Sequence, residues 1–493
     1  MPTSIYRPPP THDAIKGTDE GLLTAVAAGH ARLTGEQAMA VFHEMPLAEL
    51  GRYADARARS LHGDAFRTYI IDRNINYTNV CNAKCTFCAF RRDAEEHDAY
   101  TLSYEAIEQK ISELVAIGGT QILMQGGMNP ALPLEWYIEL LQRIKAKFPR
   151  VHVHAFSPPE FVEFVHFFDP PGATFRDKVR WVMVRLREAG LDSLPGGGGE
   201  IFAKPVRAKI GLGKCDEESW LTVMHVAHEL GMFTSATMMF GHIEGYADRV
   251  HHMLRVREWQ DLSLGTSERA SERTGEHGKA CGHYKAFISW PFQRENTPLG
   301  RVKDWGVDEA ERGREFAGDL VARAFDWGRN PNVDYRTVPG AEEFGRRVRM
   351  SGAADYLRTQ ALSRLVLDNI YSIGASWVTM GPHIGQVALM YGANDMGSVM
   401  MEENVVSSAG TTYCLDEAVL CRLIRESGFI PAQRNNTYDI LRVHTGPTSP
   451  DLAVTDWSTH RAKKTHQEAP GKGKQAGRGA GAKVTVKGEA VPG

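Results

Sequence analysis

Residues 80–90 read "VCNAKCTFCAF", which sets Cys81, Cys85 and Cys88 within eight positions and places Phe87 directly before the last of them. Thiols at i, i+4 and i+7 can be gathered round one centre by a single loop, and three chemistries compete for them. A structural zinc site takes four ligands, usually as two short pairs far apart in sequence. No second pair follows here, and His97 is the first histidine downstream that is able to complete a set. A dithiol redox pair uses Cys85-Thr-Phe-Cys88 and leaves Cys81 without a role. An iron–sulfur cluster on three thiolates employs all three and keeps one iron open, as a cluster must if it is to bind a small molecule as well as pass electrons.

The flanking sequence narrows the choice. Just upstream, "RTYIIDRNINYTN" (67–79) is strand-like, and seven more such segments follow: "TQILMQGG" (120–127), "VHVHAFS" (151–157), "DSLPGGGG" (192–199), "FTSATMMFG" (233–241), "KAFISWPF" (285–292), "IGASWVTMG" (373–381) and "YGANDMGSV" (391–399). Helical periodicity fills gaps between them at 104–117, 134–148, 219–230, 249–260, 356–370 and 383–391. Strand and helix alternating in this way predict an α/β fold, a (β/α)8 TIM-type barrel with its chemistry at the C-terminal ends of the strands. Several of these segments do end in glycine or ionisable residues.

The expected organisation is an N-terminal helical extension over 1–63, the barrel over 64–435, a short extension over 436–458 and a tail over 459–493. In the first of these, "LTGEQAMAVF" carries Thr34 and Gln37 in capping-box spacing. Irregular stretches near 165–180, 263–284 and 302–354 read as insertions. The tail is basic, rich in Gly, Ala and Lys and poor in large apolar residues, so it is expected to be disordered.

A formal charge of −3 over 493 residues gives no global reason to expect nucleic acid or an anionic membrane as a specific partner. There is no secretory signal and no apolar run long enough to span a bilayer, so a cytoplasmic protein is expected. Seven cysteines in such a chain read as thiols or ligands and not as a disulfide framework. The reading from a different class is a zinc-stabilised barrel whose basic tail engages RNA.

Cys-x3-Cys-x2-Cys after the first strand of a (β/α)8 pattern resembles the radical S-adenosylmethionine (SAM) enzymes. Within them, "NYTNVCNAKCTFCAF", "GGTQILMQGGMNP", "HVHAFSPPE", "AGLDSLPGGGGEI", "TSATMMFGHIE", "ISWPFQRENTPLG", "GASWVTMGP" and "GANDMGSVMMEENVVSSAG" resemble the dehypoxanthine futalosine cyclases (cyclic dehypoxanthinyl futalosine synthases) of menaquinone biosynthesis. The likeness runs from about residue 66 to 435. Aminofutalosine synthases and the halves of FO synthases share much of it, while "PGGGGEI", "WPFQ" and "MMEENVVS" favour the cyclases. Arg294 and Arg91 depart from the pattern, standing where proline and an aromatic residue are usual.

The resemblance implies a [4Fe–4S] cluster on Cys81, Cys85 and Cys88 and SAM as cofactors. The candidate SAM contacts are Phe87, Gln125, Gly126, Gly127, Glu200 and His242, and the candidate catalytic groups are Glu244, Asp395 and Glu402; Asn404 is a candidate substrate contact, and the substrate carboxylate needs a cation or polar donor that Arg92, His154 or Ser157 could supply. The implied substrate is dehypoxanthine futalosine. Its sugar C4′ would lose a hydrogen to a 5′-deoxyadenosyl radical, then bond to the benzoate ring, which rearomatises by losing an electron and a proton. A one-electron donor such as flavodoxin or ferredoxin is the implied protein partner.

Overall fold

The computed structural model describes residues 20–274, 282–302, 348, 350–411, 413–460, 463–466 and 482–485. Three helices come first: α1 (Glu20–Ala28), α2 (Gly35–Glu44) and α3 (Leu47–His62). Thr34 caps α2 as its spacing predicts. Its hydroxyl accepts from the Gln37 N–H, and the Gln37 side chain accepts from the Thr34 N–H. Val41, Phe42 and Leu50 are fully buried on the inner face of this lead-in. There α3 packs on the helix Ala353–Val366, and α2 packs on the long helix Tyr246–Thr274.

All eight predicted strand segments are present. The first is divided at Ile71 into β1 (Phe66–Ile70) and β2 (Asp72–Ile75). The others are β3 (Gln121–Met124), β4 (His152–Ala155), β5 (Ser193–Leu194), β6 (Phe233–Phe240), β7 (Tyr284–Pro291), β8 (Ser372–Gly374) and β9 (Asp395–Ser398). Each pairs with the next in parallel from β2 to β9. β1 then pairs with β9 while β2, one residue further on, pairs with β3, so the row of strands curls back to where it began. Helices cover the outside, among them Tyr104–Ala116, Leu134–Lys147 and Glu217–Glu229, and alternate side chains point into the barrel.

Several expectations need correction. Two further strands straddle the predicted boundary at 435: β10 (Ile430–Arg434) runs parallel to β1, with Phe66 opposite Ile430, and β11 (Ile440–Val443) folds back antiparallel on it. The supposed insertion at 165–180 is a turn between two packed helices, Pro158–Phe168 and Phe175–Ala189. Thr174 starts the second by a capping box with Asp177, whose carboxylate replaces the glutamate of the usual pattern. From Ser263 to Thr274 the expected second insertion continues the helix that begins at Tyr246, across Gly265. The third, 302–354, falls largely outside the described residues. Of the tail, two short strands are described, Lys463–His466 and Ala482–Thr485, paired antiparallel with Lys464 opposite Val484. The rest of that tail lies outside the described residues. Among those described, no helix is long and apolar enough to cross a membrane.

Candidate active site

A cavity of about 480 Å³ occupies the barrel and opens at the C-terminal ends of its strands. Cys81, Cys85 and Cys88 line it, Cys85 buried and the other two partly exposed. Their loop is fixed from several sides. The Cys81 N–H donates to the Arg92 carbonyl, the Asn82 N–H to Met128, the Lys84 N–H to Leu212 and the Thr86 N–H to Ile210. Burial pushes the Cys85 thiol up to about 12 and raises that of Cys81. As free thiols these stay protonated at neutral pH, and coordination to a metal is what removes the proton. A cluster takes one thiolate per iron. Among the described residues no three His, Cys, Asp or Glu side chains converge closely enough to hold a single ion, and His97, the candidate fourth zinc ligand, is 85% exposed.

Beside the thiols the wall is built for close approach. A Cβ on Gly127 would fall 2.1 Å from the Val80 carbonyl oxygen, so only glycine lets this turn pack on the cysteine loop. Gly126 packs on the ring of Tyr77, and its N–H donates to Glu160 at 3.2 Å. Glu160 also accepts from the Tyr77 hydroxyl at 2.6 Å and from both the N–H and the hydroxyl of Ser157 at 2.7 Å. This buried carboxylate ties the ends of β2, β3 and β4 together. Gln125 lines the cavity against Gly197. Phe87 also lines it, with the Lys214 ammonium 5.1 Å from its ring. Lys214 pairs with Glu200 at 2.9 Å, and the second oxygen of Glu200 is buried without a hydrogen-bond partner. Three thiols, a glycine cradle and an unsatisfied carboxylate facing one cavity fit a cluster with a polar organic cofactor beside it.

Deeper in the barrel, Asp395 at the head of β9 accepts from Arg434 through Nη2 at 2.8 Å and through Nε at 2.5 Å. Both are buried, and both line the cavity. His154 and Ser157 line it too. Burial, with the charge of Arg434 and the proximity of His152, lowers His154 to about 3.

Five expected site residues do not line the cavity. Glu244 is fully buried in its own turn, accepting from the N–H groups of Gly241 and His242 and from Arg249. His242 packs beside it, its Nδ1 3.1 Å from the same carboxylate. Glu402 sits between Arg73 and Lys110, 2.8 and 2.7 Å away, and Asn404 bridges it to Asn76. Arg92 folds back onto Asp98 and the carbonyls of Ala89, Phe90 and Arg91, bracing the cysteine loop from outside. In each case a turn or ion pair closer in space captured the polar group. Conversely Glu160, Lys214 and Arg434 were missed. Only the first left a trace, as the glutamate three residues beyond Ser157 in a capping-box pattern.

Comparison with known proteins agrees with this geometry. Residues 75–256 match the model of the radical SAM superfamily, and residues 342–446 match the CofH/MqnC C-terminal region. A cyclic dehypoxanthine futalosine synthase from Halalkalibacterium halodurans is 36% identical over 86% of this chain and 95% of its own length. The chain belongs to the radical SAM superfamily. Further relatives of this radical SAM enzyme are a 5-amino-6-(D-ribitylamino)uracil–L-tyrosine 4-hydroxyphenyl transferase from Methanopyrus kandleri (32% identical; 87% of this chain, 95% of its own) and an aminodeoxyfutalosine synthase from Thermus thermophilus (32%; 84% and 93%). In fold, this radical SAM enzyme is similar to the FeFe-hydrogenase maturase HydG from Carboxydothermus hydrogenoformans, with a TM-score of 0.54 at 14% identity over 86% of this chain and 81% of that one. Radical SAM enzymes use a [4Fe–4S] cluster and SAM, and the thiols and cradle described above are the residues that would hold them here.

Proposed function

We propose that this futalosine-pathway radical SAM enzyme converts dehypoxanthine futalosine to its cyclic form. The observation that carries the reading is the two-ended cavity: thiols and a glycine cradle at the mouth, and an anchored cation, Arg434, at the floor. A substrate with a ribose at one end and a benzoate at the other fits that polarity. Arg434 is held rigid by Asp395, and its remaining N–H groups suit a carboxylate. On this reading Asp395 positions Arg434 and is not a proton carrier. The likeness to a named cyclase supports the choice over other futalosine-route chemistry.

When bound, the cluster and SAM supply a 5′-deoxyadenosyl radical able to take a hydrogen atom from C4′ of the sugar. The chain's own residues bind, orient and exclude water. Phe87 and Gly127 shape the mouth. Glu200, with its free oxygen, suits ribose hydroxyls. Leu123, Ile288 and Met396 wall the cavity with apolar surface, which favours addition of the carbon radical to the adjacent ring over side reactions. A cytoplasmic enzyme fed by a one-electron donor of the flavodoxin or ferredoxin type completes the proposal.

The test offers the reconstituted enzyme two substrates separately under reducing, anaerobic conditions. Dehypoxanthine futalosine should give free 5′-deoxyadenosine and a product two hydrogens lighter than the substrate. An enolpyruvyl benzoate should stay unchanged. Incorporation of the adenosyl group into an adduct with the second substrate would replace this reading with an aminofutalosine-type synthesis.

A further inference from the structure

The proposed cyclisation expels a proton from an aromatic ring inside an apolar cavity, and that proton needs a way out. His152 and His154 are two residues apart on β4, so strand alternation puts both on one face. That face is the barrel interior, because His154 lines the cavity. Nδ1 of His154 lies 2.6 Å from the hydroxyl of Ser193 on β5, and the same hydroxyl lies 2.6 Å from Nε2 of His152. Ser193 is 1% exposed. His152 lies nearer the N-terminal ends of the strands and is partly exposed, with Asp192 and Lys145 close by. A hydroxyl accepts one hydrogen bond while donating another. The three groups therefore form an unbroken chain from the cavity wall to the lower rim of the barrel.

We propose that His154 takes the proton lost by the substrate ring and that Ser193 and His152 relay it out of the barrel; the proposal rests on the cyclase reading. In the step, a carbon–carbon bond forms between the sugar radical and a ring carbon. The ring radical then gives one electron to a one-electron acceptor of the iron–sulfur or flavin class. The C–H bond at the attacked carbon breaks: its electron pair restores the aromatic sextet and its proton goes to Nε2 of His154. The Nδ1 proton moves to the Ser193 oxygen, and the hydroxyl proton moves to Nε2 of His152. His152 then releases its Nδ1 proton to solvent.

The surroundings keep this chain ready to accept. The ionisable groups felt at His154 are His152 and Arg434, and those felt at His152 are Asp192 and Lys145. With burial, they hold His154 at about 3 and His152 at about 4, so both rings are neutral at pH 7. Arg434, which would hold the benzoate carboxylate, is near enough to act on His154, so the ring would lie beside the imidazole.

The test compares wild-type full-length enzyme with Ser193→Ala, Ser193→Thr and His152→Gln, each checked for iron content. It measures cyclic product per 5′-deoxyadenosine formed from dehypoxanthine futalosine, in H2O and in D2O. In Ser193→Ala the yield of product per 5′-deoxyadenosine should fall at least about tenfold, and the solvent isotope effect on product formation should vanish. Ser193→Thr, which keeps the hydroxyl, should restore both. His152→Gln leaves the cavity wall intact and should lower the yield in the same way, with recovery in added imidazole. Yields and isotope effects equal to wild type in both Ser193→Ala and His152→Gln would overturn the relay. A wild-type enzyme that makes no cyclic product would overturn the cyclase reading itself, and the relay with it.

Discussion

Residue by residue, the site is a set of polar groups held by short, local devices. Phe156, Glu200 and Met400 follow barrel strands with left-handed backbones, φ 58°, 32° and 52°, although none is glycine. Such conformations cost roughly 1–3 kcal/mol each and persist where surrounding contacts over-determine them, characteristically at functional sites. The thiols and glycines were legible in the sequence because their chemistry is specific to type and spacing. The carboxylates were not, since a sequence gives a carboxylate's position but not which cation reaches it first. Glu402 shows the consequence. Removing it in Glu402→Ala leaves Arg73 and Lys110, both largely buried, short of a carboxylate and should cost about 3–5 kcal/mol in denaturant unfolding. Enzyme that remains folded should still load iron. Full stability with lost turnover would instead return Glu402 to the reaction.

Among the elements, strand ends and their turns carry the site. The turn after β3 passes so near the cysteine loop that a methyl group at Gly127 overlaps the Val80 carbonyl. Gly127→Ala should therefore shift the loop, destabilise the fold by about 1–3 kcal/mol and cut iron loading on reconstitution, read by iron and sulfide content. Normal loading would show the loop tolerant of that shift. The eight strand segments were readable because they are short runs that alternate with helical periodicity, several of them ending in glycine or polar residues. β10 was not, because "IPAQR" carries a proline and two long polar side chains and lacks the pattern of a buried strand. Yet β10 delivers Arg434 to the cavity floor. Arg434→Met should raise the KM for dehypoxanthine futalosine by at least about tenfold, the loss of a charge-assisted contact, while leaving iron content unchanged. Unchanged KM would move the carboxylate elsewhere.

At the scale of the molecule, buried histidines set how stability depends on pH. Burial lowers His62, His154 and His252 to about 3 and His152 to about 4. These are neutral in the fold and protonate near pH 6.5 once unfolded. The unfolded chain thus binds more protons, and their contribution, complete above pH 6.5, is lost as pH falls toward 3–4 at about 1.4 kcal/mol per pH unit for each ring. Asp248, pushed by burial to about 8, works in the opposite sense but is outnumbered. The denaturation midpoint should fall steadily from pH 7 to 5, and His252→Leu, which removes a ring stacked on Phe202, should flatten the slope by one proton. An unchanged slope would contradict the assignment.

The central claim, that hydrogen leaves C4′ of dehypoxanthine futalosine in this cavity, is tested most directly with substrate deuterated at that carbon. A single anaerobic turnover should deliver one deuterium to 5′-deoxyadenosine and yield the cyclic product. Unlabelled 5′-deoxyadenosine, or an adenosyl group retained in the product, would contradict it.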